Sequence, residues 1–315
     1  MSNKVTIIGA GSVGSTIAYT MAINNIASEI VMIDVNTKKA LGEAMDIRQG
    51  TPFCSPISIY AGSYSDAENS DVVIITSGIA RKPGQSRLEL VQTNVDIIKS
   101  IAPEIVKYAP NAVYIIVSNP VDILTYVFNK ISGIPESRII GSGTILDTAR
   151  LRSRISEYLS ISQKNVHAYV FGEHGDSSFI PWSIATVSGV PLKEYHSSLT
   201  SEYTITPELD YEDIEKYMRT SGGKIISRKG ATYYAVSVSV CHIVKCIFSS
   251  MDTIMTVSTM MHGEYGIDDV CLSTLSVVGR RGIMSNIKPA LTEEEVAKLQ
   301  HSANVLKDVI AQVNI

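Results

Sequence analysis

The first half of the chain alternates short β-branched runs with helix-length segments, a pattern few folds accommodate. The runs are Val5–Ile8, Ile30–Ile33, Ile57–Tyr60, Val72–Thr76 and Val113–Val117, and the helix-length segments are Val13–Asn24, Thr37–Gly50, Leu88–Tyr108 and Asp122–Ser132. Such alternation implies a parallel sheet covered by helices on both faces, with apolar side chains pointing both ways from each strand. Sheets of this kind bind ligands outside the carboxyl ends of their strands.

A glycine pattern sits where that rule places a ligand. Gly9-Ala10-Gly11-Ser12-Val13-Gly14 follows the first run directly and opens the first helix. The motif alone is weak, and its position between strand and helix is what gives it weight. Gly9 permits a tight turn, Gly11 lets the backbone approach a pyrophosphate, and Gly14 lets the helix pack close to the sheet. The helix N-terminus then offers free N–H groups and partial positive charge to the phosphates. Asp34 ends the second run, twenty residues after Gly14. A carboxylate there accepts both ribose hydroxyls of NAD and repels the 2′-phosphate of NADP. NAD is therefore the expected cofactor, on a Rossmann-type sheet. Lys38 and Lys39 are expected on an exposed helix face.

The second half is less regular. Val236-Ser237-Val238-Ser239-Val240 alternates with period two, as a strand would, but lies in an apolar stretch from Ala231 to Phe248 that is long for a strand. Pattern alone leaves it undecided. Thr292 followed by Glu295 forms a capping box, and Val296, Leu299, Leu306 and Ile310 continue a helical stripe after it. The expected class is α/β: a doubly wound parallel sheet over residues 1–144, followed by an α+β catalytic domain over residues 145–315, with the boundary near Gly141–Leu146.

Composition narrows the function classes. The 315 residues are enough for two domains, and 45% hydrophobic with 18% charged residues is a globular balance. A net charge of -4 argues against a broad nucleic-acid-binding surface. Cys54, Cys241, Cys246 and Cys271 form no CxxC pair and no Cys/His ligand pattern, which points to buried free thiols in a reducing compartment and no metal site. The Met-Ser-Asn-Lys start runs straight into a strand, so no signal peptide is expected. No apolar run approaches the ~20 residues of a membrane span, and a cytoplasmic protein is expected.

Four further residues are ambiguous singly. His174 lies between glycines in Phe171-Gly172-Glu173-His174-Gly175-Asp176, which could be a structural turn. Arg87 and Arg150 could be solvated, and Asp147 could simply cap a helix. Taken together they match a family. The chain closely resembles the L-lactate/malate dehydrogenase family over essentially its whole length. The resemblance rests on GAGSVG from Gly9, KPGQSRLELVQTN from Lys82, SNPVDILT from Ser118, GTILDTARLR from Gly143 and VHAYVFGEHGDS from Val166, in family order and spacing.

That resemblance implies roles that suit the chemistry of each side chain. His174 would exchange a proton with the substrate oxygen, since imidazole titrates near neutrality. Asp147 would orient the ring and stabilise its charged form. Arg150 would hold the substrate carboxylate with a bidentate fork. Arg87 would polarise the carbonyl from a lid segment, residues 80–86, that closes over the ligand. Asn119 would bond the reacting oxygen and help seat the nicotinamide. Val13, Thr76, Gly78 and Val117 would complete the cofactor site.

For the substrate, the sequence points two ways. Glu173, Trp182, SNPVDILT and the Lys229–Tyr234 segment resemble the lactate branch, with Thr232 bordering the substrate methyl. Arg81, six residues before Arg87, occupies a lid position where lactate enzymes carry Gln and malate enzymes carry Arg. A guanidinium facing a methyl under a closed lid leaves one charge uncompensated, a cost of about 3–5 kcal/mol. Methyl-side packing is worth only about 1–3 kcal/mol. The sequence expectation is therefore malate/oxaloacetate, with pyruvate/lactate as the alternative should Arg81 point to solvent or Gln85 take the role. The substrate is in either case a small dicarboxylate or 2-keto acid.

Arg152 and His167 match positions with which bacterial lactate dehydrogenases bind fructose 1,6-bisphosphate between subunits, and a homo-oligomer, dimer or tetramer, is implied by the resemblance. Two rival classes make different demands on the sequence. A non-catalytic nucleotide-binding relative would be expected to lose at least one of Asp147, His174, Arg87 and Arg150. A metal- and NAD-dependent glycosidase would need a Cys/His ligand cluster.

Overall fold

A computed structural model describes residues 3–79, 87–200 and 209–315, with Arg87 described by its backbone alone. The first half is β1 (Lys4–Ile8), α1 (Ser12–Ile23), β2 (Glu29–Ile33), α2 (Thr37–Gly50), β3 (Ser58–Ala61), β4 (Val72–Ile75), α3 (Arg87–Tyr108), β5 (Val113–Ile116), α4 (Val121–Ser132) and β6 (Ile139–Gly141). The strands pair in parallel in the order β3-β2-β1-β4-β5-β6.

Alternate side chains of the same strands enter two different cores. Ile8, Val31, Ile33, Val73, Ile75, Tyr114 and Ile116 pack on one face with Val95 and Ile98 of α3 and Phe128 of α4. Val5, Ile7, Ile30, Met32, Val72, Ile74, Val113 and Ile115 pack on the other with Ile17 and Met21 of α1 and Ala40 and Ala44 of α2. This is why the strands read as unbroken apolar runs: helices cover both sides of the sheet.

The second half is α5 (Ile145–Leu159), β7 (Val166–His167), β8 (Thr186–Val187), β9 (Val190–Pro191), α6 (Tyr211–Lys229), α7 (Tyr234–Ile247), β10 (Thr253–His262), β11 (Asp268–Gly279), β12 (Gly282–Ile287) and α8 (Glu293–Ile310). Strands β7 to β9 form a small separate sheet. Strands β10 to β12 form an antiparallel meander that joins the parallel sheet where Ser258 pairs with Gly141, giving nine strands in one continuous sheet. The hydrogen-bonded sheet thus runs on past the expected domain boundary.

The stretch that sequence pattern left undecided is helix α7. Val240, Ile243, Val244 and Ile247 face the core that also holds α1. The alternating serines fit the helix because their hydroxyls bond back one turn: Ser237 Oγ to Tyr233 O at 2.5 Å and Ser239 Oγ to Ala235 O at 2.9 Å. The capping box at α8 is present as expected. Thr292 Oγ1 accepts from Glu295 N at 3.2 Å, and Glu295 Oε2 accepts from Thr292 N at 2.9 Å. Helix α6 carries Gly222-Gly223 in its interior. Each costs a helix about 0.5–1 kcal/mol relative to alanine. No described helix is long and apolar enough to cross a membrane.

Candidate active site

The cofactor end is built on the β1–α1 turn. Gly9 has φ +109, and a Cβ there would lie 2.7 Å from Thr76 Oγ1 and 2.8 Å from Ser77 N. A Cβ on Gly14 would lie 1.9 Å from Gly9 O, so only glycine lets α1 pack this close. A Cβ on Gly11 would meet nothing within 4 Å among the described residues. Gly11 is the N-cap of α1 and brings no side-chain cap, which leaves first-turn N–H groups for an anion. Asp34 is locked over this turn, Oδ2 accepting from Ala10 N at 2.7 Å and Oδ1 from Asn36 N at 2.8 Å. Thr76 Oγ1 donates to Gly9 O at 2.9 Å. Bare turn, helix end and fixed carboxylate fit a dinucleotide with free ribose hydroxyls. Lys38 and Lys39 are exposed on α2, as expected.

A cavity of about 470 Å³ extends from this turn toward α5 and α6. Val13, Thr76, Gly78, Val117 and Asn119 line its cofactor end, and Asp147, Arg150, His174 and Thr232 line the other. Five of the residues expected to hold NAD, three expected to meet substrate and the Asp147 expected to orient His174 thus share one chamber, although they come from positions spread over more than half of the chain.

At the catalytic end, Asp147 stands in the first turn of α5 and is 6% exposed. Its Oδ2 lies 2.5 Å from His174 Nδ1, and its Oδ1 accepts from Arg150 Nη1 at 2.9 Å. Arg150 sits three residues along the same helix, which puts the guanidinium on the same face as the carboxylate. His174 is presented by a loop that is clamped by the Phe171–Phe179 and Gly172–Ser273 bridges. Burial pulls the His174 imidazolium down, but the Asp147 carboxylate outweighs it by attraction and hydrogen bonding, with help from Asp122, so the ring titrates above its ordinary value. Burial raises the Asp147 carboxyl, and His174 and Arg150 together overcome that and hold it below the usual carboxylate range. The arrangement sets an imidazole whose protonated form is favoured close to a guanidinium on one wall of the chamber.

Two residues with roles here escaped the sequence reading. Asn94 is 1% exposed on α3. It accepts from Ile79 N at 2.9 Å and donates to Asn119 O at 2.8 Å, tying the backbone that follows β4 to the loop that carries Asn119. Its signal was a polar residue on the buried stripe of Val91, Val95 and Ile98. Asp122, 3% exposed on α4, accepts from His174 N at 2.7 Å. Burial pushes its carboxyl up to about 6. Its signal was a lone acid in the apolar run after Pro120.

Other expected residues fall elsewhere. Arg81 and Gln85 lie outside the described residues, as does the Arg87 side chain; Arg87 itself starts α3. Arg152 Nε donates to Ala168 O at 3.0 Å, and its guanidinium stacks 5.0 Å from the Tyr169 ring centroid. It lines a second, largely apolar cavity with His242 and Lys164, whereas His167 is exposed on β7. Cys241, Cys246 and Cys271 are buried free thiols, and Cys54 is half-buried.

The chain matches two family models that together cover nearly all of it. Residues 3–141 match the lactate/malate dehydrogenase NAD binding domain, and residues 144–314 match the alpha/beta C-terminal domain of the same family. It is 48% identical to an L-lactate dehydrogenase of Thermoanaerobacter pseudethanolicus over 99% of this chain and 100% of that one. It is 46% identical to an L-lactate dehydrogenase of Thermoanaerobacterium saccharolyticum, again over 99% and 100%. Among solved structures, a minor L-lactate dehydrogenase from Enterococcus mundtii superimposes with a TM-score of 0.94 at 38% identity, covering 100% of this chain and 99% of that one. With family models matching both halves and relatives matched from end to end, the chain belongs to the lactate/malate dehydrogenase family, and its cofactor is NAD.

Proposed function

We propose that this enzyme is an L-lactate dehydrogenase, interconverting pyruvate and L-lactate. The observation that carries the reading is the near-full-length match, at 43–48% identity, to relatives named L-lactate dehydrogenase. Thr232 on the wall of the substrate chamber supports it, being small enough to border a methyl group.

NAD, when bound, supplies or accepts the hydride. The chain's own groups do the rest. Arg150 holds the substrate carboxylate. His174 hands a proton from its free ring nitrogen to the substrate oxygen during reduction and takes it back during oxidation. Asp147 keeps Nδ1 occupied, which fixes the ring's orientation and stabilises the protonated form that reduction consumes. Asn119 bonds the same oxygen, and Arg87 stabilises the negative charge that develops on it.

One residue favours a second reading. Arg81 is the malate-type residue of the lid, and a dicarboxylate would pair with it. The names of the relatives and Thr232 support the monocarboxylate over it. Steady-state kcat/KM with NADH separates the two, pyruvate being expected to exceed oxaloacetate. A higher value for oxaloacetate would overturn the lactate reading and restore the dicarboxylate. An Arg81→Gln variant then shows whether that guanidinium sets the preference.

The reading includes a homo-oligomer. Tyr19 and Ile23 on α1, Leu41 on α2, and Tyr234 and Val238 on α7 are each more than half exposed, apolar side chains that a partner subunit would cover.

A further inference from the structure

The two side chains proposed to meet the substrate oxygen, Asn119 and His174, come from separate segments, and one carboxylate bridges those segments. Asp122 stands in the first turn of α4, three residues after Asn119. Its Oδ2 accepts the backbone N–H of His174 at 2.7 Å. A side chain on the segment that carries Asn119 thus holds the peptide that carries the imidazole. From α3, Asn94 holds Asn119 O at 2.8 Å, so the Asn119 segment is itself fixed.

Packing asks for no acid at this position. Its neighbours on α4, Val121, Ile123 and Leu124, are buried and apolar. Asp122 is 3% exposed, and its Oδ1 has no hydrogen-bond partner among the described residues. Burying a half-satisfied carboxylate costs stability, and a neutral amide oxygen would serve His174 N at less cost. The retained charge therefore calls for a reason. The N-terminus of α4, which has no side-chain cap, favours a negative charge in its first turn. The titratable groups that face Asp122 are His174 and Glu173 from the loop and the Cys271 thiol of β11, with the Ser258 hydroxyl from β10. Asp147 and Arg150 of α5 face the His174 ring. Of the groups that face Asp122, only His174 becomes a cation.

We propose that Asp122 is a positioning residue for the reaction: its hydrogen bond sets the His174 imidazole at a fixed reach from Asn119, and its negative charge joins that of Asp147 in favouring the protonated ring. The inference rests on the acid–base role proposed for His174 and deepens it.

The test measures kcat and KM against pH at saturating NADH, on the 2-oxo acid the wild type uses best, for the wild type, Asp122→Asn and Asp122→Ala. Asparagine keeps an acceptor for His174 N and loses the charge; alanine loses both. Asp122→Asn is expected to move the fall in reduction rate about one pH unit lower, as removal of a nearby opposite charge does. Asp122→Ala is expected to show the same shift, and its low-pH plateau to lie about tenfold or more below that of Asp122→Asn, because a misplaced ring slows the proton transfer. That loss appears in kcat more than in KM, since Arg150 still holds the carboxylate. Asp122→Ser, a smaller neutral acceptor, replaces the asparagine variant if the latter does not fold. An unmoved midpoint in the neutral variants overturns the proposal. So does an equal plateau in the asparagine and alanine variants, and a lowered melting temperature with both unmoved would leave Asp122 a structural residue only. A wild type that prefers oxaloacetate to pyruvate overturns the lactate reading alone, because the shift is read on whichever acid is used best.

Discussion

Asp147→Asn isolates the charge that holds His174 ready. The substitution keeps the side chain's shape and one acceptor oxygen, so the ring can stay in place while the negative charge is lost. Asp147 Oδ2 is 2.5 Å from His174 Nδ1, which places the two charge centres about 4 Å apart. A unit pair at that distance is worth about 4 kcal/mol at an effective dielectric near 20. Asp147 is almost fully buried and the His174 side chain is 26% exposed, so most of that interaction survives solvent screening. A loss of about 2–4 kcal/mol from the protonated state corresponds to about 30- to 1000-fold in kcat/KM for 2-oxo acid reduction near neutral pH.

The pH dependence carries the sign. In the proposed mechanism reduction needs protonated His174, and its raised pKa keeps the proton in place to higher pH, so the wild-type rate is expected to fall as pH rises through that elevated value. Removing the carboxylate leaves burial to dominate, and the fall moves to lower pH. The same raised pKa contributes folding stability that is present at low pH and lost as pH rises through it, a contribution the variant lacks. The assay is kcat/KM against pH at saturating NADH, on the 2-oxo acid the wild type uses best. A loss under threefold, with the midpoint unmoved, would refute the claim that Asp147 acts through His174.

Two further predictions follow from the surrounding residues. Asn94→Leu leaves Ile79 N and Asn119 O without their partner, which should cost about 1–3 kcal/mol of stability and raise KM for the substrate; an unchanged melting temperature and KM would show that Asn94 does not tie these loops. We propose that Arg152 and His167 receive fructose 1,6-bisphosphate between subunits; light scattering should give a dimer or tetramer, and adding the sugar bisphosphate should raise either the mass or the rate at sub-saturating substrate, while a monomer with no response removes both ideas.

Local pattern was enough for most of the first half. Four of the five apolar runs and the glycine turn specify strands buried on both faces and a dinucleotide crevice, because those features depend on neighbours in sequence; the fifth, Ile57–Tyr60, is the partly exposed edge strand β3. The catalytic residues were legible only through the resemblance: His174, Arg150 and Asp147 taken singly are an ordinary turn, a surface cation and a helix cap. Only the tertiary structure decided α7, since a Val/Ser alternation suits a strand or a helix equally until packing against α1 selects the helical face. It alone joined β10 to β6 across the expected boundary, because the edge a strand pairs with is not written in its own residues. It also gave Asn94 and Asp122 their meaning, since a buried polar side chain is defined by the distant groups it satisfies.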